Sequence, residues 1–112
     1  VDIAVGLGFD SILTSGGAVH AAEGLEIITS MTQRAAGRIE VMAGSGITPD
    51  NAANIITTTG VRAIHASAAV NIPAQDMKAV ALGFVPFHIK TTDIQIVMRL
   101  RQIVTDSARV AA

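Results

Sequence analysis

The sequence predicts an α/β fold made of three consecutive βα units whose strands run parallel. Three strand-like runs begin at Phe9, Arg38 and Val61, and each leads into a segment whose apolar residues recur every three or four positions. Strands that alternate with amphipathic helices are typical of a parallel sheet covered by helices. The strand starts are spaced at close to the repeat length of a (β/α)8 barrel. We therefore expect a single partial-barrel domain over residues 1–112.

The first unit combines a strand over residues 9–14 with a helix over residues 20–36. Gly37 follows this helix and is a natural C-terminal stop. One face of the helix carries its apolar positions, which are Ala21, Leu25, Ile28 and Met31 or Thr32.

The second unit has a strand over residues 38–43 and the clearest helix start in the chain. Thr48 is placed to cap the free amides, Pro49 lacks an N–H that the first turn does not need, and Asp50 favours the positive end of the helix dipole. The packing stripe of this helix consists of Ala52, Ile55, Ile56 and Thr59, and Gly60 ends it.

The third unit begins with a strand over residues 61–66, after which residues 69–90 show no clear periodicity. A connection of that length is usually a functional lid or a mobile segment, so we predict a long βα loop. A last helix then opens at residues 91–93, and residues 107–112 are predicted to fray. The apolar face of this helix contains Ile96, Val97, Leu100, Ile103 and Val104.

The composition argues against several classes of function. A net charge of −1, with 15% charged residues and no block of Lys or Arg, argues against a nucleic-acid partner. The absence of cysteine excludes disulfides, iron–sulfur clusters and thiolate zinc sites, and it favours a cytoplasmic location. No apolar run approaches the roughly 18 residues of a membrane span, and no signal-peptide pattern opens the chain, so we expect no membrane partner.

The high apolar content predicts that part of the surface is covered by another protein segment. Half of the residues are apolar, whereas a domain this small usually needs more charge on its surface. Three parallel strands also leave two open sheet edges. We therefore expect either a homo-oligomer or the remaining half of a barrel to cover this surface.

Small and polar residues follow all three predicted strands. The carboxyl ends of parallel strands are where ligands gather in α/β folds, and glycine lets backbone N–H groups approach an anion closely. We therefore predict an anion-accepting rim, although glycine-rich turns without a ligand are an alternative explanation. The predicted anion-binding residues are Thr14, Ser15, Gly16, Gly44, Ser45, Gly46 and Ser67.

Glu40 and His65 are the candidate catalytic residues. Ile39, Val41 and Ala43 share one face of their strand, so Glu40 would point into the barrel, where a carboxylate is suited to proton transfer or metal binding. A buried Arg or Lys partner is the structural alternative. His65, near the end of the third strand, is suited to shuttle a proton or bind a metal, but a lone histidine is often only structural.

Several motifs resemble the CutC copper-homeostasis family. They occur in the family's order and at its spacing, and they extend over nearly the whole chain. The matching runs are GFDSILTSGG at residues 8–17, AEGL at 22–25, GRIEVMAGSGIT at 37–48, HASA at 65–68 and Thr92-Asp93. The resemblance implies a longer TIM-type barrel, of which this chain matches the C-terminal part.

The same resemblance implies a role in copper tolerance and cytosolic copper handling, with Cu(I) binding in some members. This sequence has Ala66 where some relatives carry a cysteine, and Ala69-Val70 where many carry a basic residue. The remaining soft donor near the rim is Met42, so Met42 and His65 are the predicted copper ligands. A phosphate-binding barrel enzyme that acts on a small anionic metabolite is the alternative function.

Overall fold

The computed structural model describes residues 1–111. It contains five α-helices, one 3₁₀ turn and five strands within that range. In chain order these are α1 (Asp2–Gly6), β1 (Ser11–Thr14), the 3₁₀ turn (Ala21–Glu23), α2 (Leu25–Ala35), β2 (Glu40–Gly44), α3 (Ala52–Thr59), β3 (Ala63–His65), β4 (Ala69–Pro73), α4 (Met77–Ala81), β5 (His88–Thr92) and α5 (Ile94–Ala111).

The first three strands form a parallel sheet in the order β1-β2-β3. Ile12 pairs with Val41, and Ala43 pairs with both Thr14 and Ile64 across the sheet. The prediction of an α/β fold with parallel strands is therefore confirmed.

One face of this sheet forms the hydrophobic core with the helices. Val41 and Ala43 of the central strand are buried there, together with Ile28 of α2 and Ile55 of α3, which are fully buried. Leu100 of α5 joins the same cluster. The helical faces predicted from apolar spacing thus supply the core, because residues three and four apart point to one side of a helix.

The opposite face of the sheet is open. Leu13 is 57% exposed, Glu40 is exposed, and Met42 is half-buried. These three residues lie on the face that does not meet the helices, since side chains alternate between the two faces of a strand.

The helix predicted to start near Thr48 begins instead at Ala52. The side chain of Asn51 explains this difference, since its Oδ1 accepts from the Thr48 N–H at 2.9 Å while its Nδ2 donates to the Gly46 carbonyl at 2.9 Å. The segment before α3 is therefore a turn closed by Asn51. Thr48 does not provide the predicted side-chain cap.

The prediction of a long loop over residues 69–90 is wrong. Strands β4 and β5 pair antiparallel from Ala69 with Thr92 to Pro73 with His88, and the connection between them contains α4. Each strand is only five residues long and the connection has no hairpin-turn signature, so the pairing depends on contacts between distant segments. Asp76 caps α4 by accepting from the N–H groups of Lys78 and Ala79.

Helix α5 extends through the segment that was predicted to fray, as far as the structure describes it. Helix α5 continues to Ala111, and the Ser107 hydroxyl donates to the Ile103 carbonyl at 2.8 Å within it. Residue 112 lies outside the described residues. Among residues 1–111, no helix combines the length and the apolar character that crossing a membrane requires.

Candidate functional site

The carboxyl ends of β1, β2 and β3 lie side by side at one edge of the sheet. Thr14 pairs with Ala43, and Gly44 pairs with His65. The parallel register therefore brings the three predicted rim segments together, because strands that run in one direction end at the same edge.

The loop after β1 uses its polar groups internally. The Gly16 N–H donates to the Thr14 hydroxyl oxygen at 3.0 Å, and the Ser15 hydroxyl donates to the Ala18 carbonyl at 2.7 Å. The predicted anion-binding residues Thr14, Ser15 and Gly16 thus stabilise their own turn.

The loop after β2 is fastened to the loop after β1. The Ser45 hydroxyl donates to the Val19 carbonyl at 2.6 Å, and the Ser45 carbonyl accepts from the Ala21 N–H at 2.9 Å. Ser45 has a φ of +82° and Gly46 a φ of +68°, so two successive residues are left-handed. A non-glycine residue in this region is uncommon and costly, and such residues cluster at functional sites.

His20 lies against the glycine turn, a placement that the sequence did not indicate. A Cβ atom built on Gly46 would lie 2.7 Å from Nδ1 of His20. The space that a side chain at position 46 would occupy is therefore filled by the imidazole. In the sequence, His20 follows the Gly16-Gly17 turn, and no motif there links it to Gly46.

Met42 and His65 share the open face of the sheet. Met42 pairs with Ala63, two residues before His65 on the neighbouring strand, so the two side chains are diagonal neighbours. A Cβ atom built on Gly44 would lie 3.3 Å from the Cβ of His65 and 2.7 Å from Leu13 Cδ1. Glycine at position 44 therefore leaves room for these side chains.

The structure does not bring Glu40 together with His65. Glu40 begins β2 whereas Gly44, the partner of His65, ends it, so about 13 Å of strand separates the two positions. Glu40 is also exposed rather than buried, so the expected burial of its carboxylate is not seen in this chain.

A cleft of about 510 Å³ opens beside the carboxyl ends of β2 and β3. It is lined by residues 45–50, residues 65–69, Ile96 and Arg99. Within residues 1–111, no protein acceptor is found for the N–H groups of Gly46 and Ile47. The cleft lining thus includes these two residues together with His65 and Ser67.

Arg99 was missed as a functional candidate. It comes one helical turn after Ile96, which packs against the core, and both residues line the cleft. Among the cleft-lining residues within 1–111, Arg99 is the one Lys or Arg. Only its spacing of three from an apolar position hinted at this location.

The ligand set for a metal is small in the part of the chain that the structure describes. No group of three or more His, Cys, Asp or Glu residues lies close enough to hold a metal ion there. Met42 and His65 offer one thioether and one imidazole, which are donor types that suit Cu(I).

The part of the chain that forms the parallel sheet matches a known protein family. A family model described as the CutC family matches residues 1–70, which contain β1, β2 and β3. A CutC family protein from Sinorhizobium medicae is 40% identical over 101 residues, covering 90% of this chain and 41% of that protein. One from Treponema denticola is 48% identical over 68 residues, covering 61% of this chain and 28% of its own length.

A solved structure is also similar. A Streptococcus agalactiae protein that carries the name Copper Homeostasis Protein CutC is 36% identical, with a TM-score of 0.54 over 57% of this chain and 31% of that one. The chain spans about two fifths of the length of the Sinorhizobium relative. Because the family model matches more than half of the chain, from α1 to the start of β4, the chain belongs to the CutC family.

Proposed function

We propose that the protein acts in copper homeostasis in the cytoplasm, and that this chain contributes Met42 and His65 as ligands for Cu(I). The placement of both side chains on the open sheet face, next to the strand ends, is the observation that carries this proposal. Membership of a family whose relative is named for copper homeostasis supports it. In this role copper is the transported or buffered ion, not a resident cofactor.

A Cu(I) competition titration against a chromophoric chelator tests this assignment. The double variant Met42→Leu/His65→Gln keeps similar side-chain volumes but removes both donors. We expect it to lose at least tenfold in Cu(I) affinity. The matched control Met98→Leu/His88→Gln changes the same residue types away from the sheet face and should bind as the unaltered chain does. Equal affinity of the two double variants would end the copper-ligand proposal.

We further propose that the open sheet face is the interior of a TIM-type barrel. Leu13 and Met42 make this face partly apolar, and the outer edges of β1 and β3 have no neighbouring strand among the described residues. Unpaired edges and exposed apolar area favour completion by further strands. The remaining strands come either from the rest of a longer protein or from a second copy of the chain.

Light scattering on the 112-residue chain tests how the sheet is completed. A mass of two or more chains would support completion by a second copy, and Leu13→Lys should then shift the protein toward the monomer. A well-folded monomer that Leu13→Lys leaves unchanged would contradict coverage by a second copy.

The second candidate function is that of a phosphate-binding barrel enzyme acting on a small anionic metabolite. The free N–H groups of Gly46 and Ile47, which border the same cleft as His65 and Ser67, favour this candidate. Because Glu40 lies at the far end of its strand, proton transfer in such an enzyme would fall to His65.

An amide NMR titration with inorganic phosphate tests the anion-binding rim. We expect the resonances of Gly46 and Ile47 to shift and saturate, while that of Gly16 moves little because its N–H already donates to Thr14. The absence of saturable shifts at both amides would rule out the rim as an anion site.

A further inference from the structure

We infer that the cleft beside β2 and β3 binds the phosphate monoester of a small hydroxylated molecule, with Arg99 holding the phosphate and Asp50 accepting from a ligand hydroxyl. This inference rests on the proposed anion-binding rim and specifies the class of its ligand. It adds two charged residues that sequence analysis did not assign to the rim.

Arg99 supplies the positive charge that the rim otherwise lacks. It lines the same cleft as Gly46 and Ile47, and no ion pair among residues 1–111 involves it. A guanidinium presents several N–H donors in one plane, a geometry that matches the oxygens of a phosphate. We expect a phosphate in the cleft to accept hydrogen bonds from Arg99 and from the N–H groups of Gly46 and Ile47.

Asp50 argues against a bare anion as the natural ligand. Its carboxylate borders the same cleft and takes part in no ion pair within the described part of the chain. A carboxylate repels phosphate but readily accepts a hydrogen bond from a hydroxyl group. Two opposite charges in one cleft that do not pair with each other are therefore both available to a ligand that carries an anion and a donor.

The size of the cleft also favours a ligand larger than an inorganic ion. A volume of about 510 Å³ falls within the range of small-molecule sites and exceeds what a single inorganic ion needs. The hydroxyl of Ser67 and the imidazole of His65 extend the polar lining toward the end of β3. The cleft thus has room for a phosphate and a short polar group attached to it.

Titrations of the 112-residue chain with inorganic phosphate, methyl phosphate and glycerol 3-phosphate test the inference. Binding in these titrations is monitored by amide NMR at constant ionic strength. We expect glycerol 3-phosphate to bind more tightly than methyl phosphate, because only the former has hydroxyls for Asp50. Arg99→Gln should weaken binding of all three by about tenfold or more, since a hydrogen bond to a charged group is lost.

Arg101→Gln is the matched control, because Arg101 lies on the same helix but does not line the cleft. It should bind all three ligands as the unaltered chain does. Asp50→Ala should strengthen methyl phosphate binding, because it removes a negative charge, and it should remove most of the preference for glycerol 3-phosphate, because it removes the acceptor for the ligand hydroxyl. Well-dispersed spectra of each variant establish that it remains folded.

The outcomes distinguish failure of the ligand assignment from failure of the proposed anion-binding rim. If phosphate shifts neither Gly46 nor Ile47 in the unaltered chain, the anion-binding rim fails and this inference fails with it. If those amides respond but Arg99→Gln binds as tightly as Arg101→Gln, the anion-binding rim stands and the ligand assignment is overturned. The same holds if Asp50→Ala keeps the preference for glycerol 3-phosphate. The copper titration is independent of all these results.

Discussion

Gly16 and Gly24 pack backbone against backbone where the loop after β1 meets the start of α2. A Cβ atom built on Gly16 would lie 2.8 Å from the Cα of Gly24, and one built on Gly24 would lie 2.9 Å from the Cα of Gly16. Neither position has room for a side chain. This contact holds the first rim loop close to α2.

Gly16→Ala should therefore destabilise the chain more than an alanine at another left-handed glycine. Gly37 is the matched control, because its φ of +78° is close to the +74° of Gly16 but nothing lies within 4 Å of its Cβ position. Both variants incur the left-handed cost of about 1–2 kcal/mol, and overpacking adds about 1–3 kcal/mol at Gly16 alone. Urea unfolding measures the difference, and equal losses would show that the loop relaxes freely.

Two neighbouring residues of α2 should respond very differently to truncation. Ile28 is 0% exposed and Ile27 is 53% exposed. Ile28→Ala should cost about 2–5 kcal/mol of unfolding free energy because it leaves a cavity between α2 and the sheet. Ile27→Ala should change stability by less than about 1 kcal/mol. Similar losses in chemical denaturation would contradict the assigned helix face.

Asp93 should stabilise the start of α5. Its Oδ1 accepts from the Gln95 N–H at 2.7 Å and from the Ile96 N–H at 3.3 Å. Asp93→Ala should cost about 1 kcal/mol, whereas Asp93→Ser should retain most of the cap. Hydrogen exchange of the first-turn amides should accelerate only in the alanine variant. Unaltered exchange in that variant would argue against the cap.

Asp2 should titrate well below its usual range. Hydrogen bonds from Arg34 and then Arg38 lower the pKa of its carboxyl from 3.8 to about 2. Because the folded-state pKa is depressed, Asp2 contributes stability above its ordinary pKa and loses that contribution as the pH falls toward about 2. A carboxyl NMR titration should find this midpoint, and Arg34→Gln should raise it.

The salt dependence of the Asp2 pKa checks the ion pair between Asp2 and Arg34. The Asp2 and Arg34 side chains are 48% and 69% exposed, so solvent ions reach them. Near 1 M salt, where screening is strong, the midpoint should move up toward 3.8. A midpoint already near 3.8 at low salt would show that the ion pair does not form in solution. Asp2→Asn should make the free energy of unfolding depend less on pH in the acid range.

Local patterns were sufficient to predict the three parallel strands and the apolar faces of α2, α3 and α5. The apolar spacing of Ile28 and Ile55 identified helix faces that the structure buries, whereas Ala21 is buried in the 3₁₀ turn that precedes α2. The alternation around Val41 identified the face of β2 that meets those helices. Such patterns are readable because helix and strand periodicities place side chains on defined faces before any tertiary contact forms.

Sequence patterns were enough to establish the order of the units, their buried faces, the common edge of the three strand ends, and the placement of Met42 and His65 near that edge. The pairing of β4 with β5, the position of His20 against Gly46, and the position of Arg99 beside the cleft emerged only from the folded chain. Each of these depends on segments that are distant in the sequence. Their contacts are set by how whole elements pack, which no local periodicity encodes.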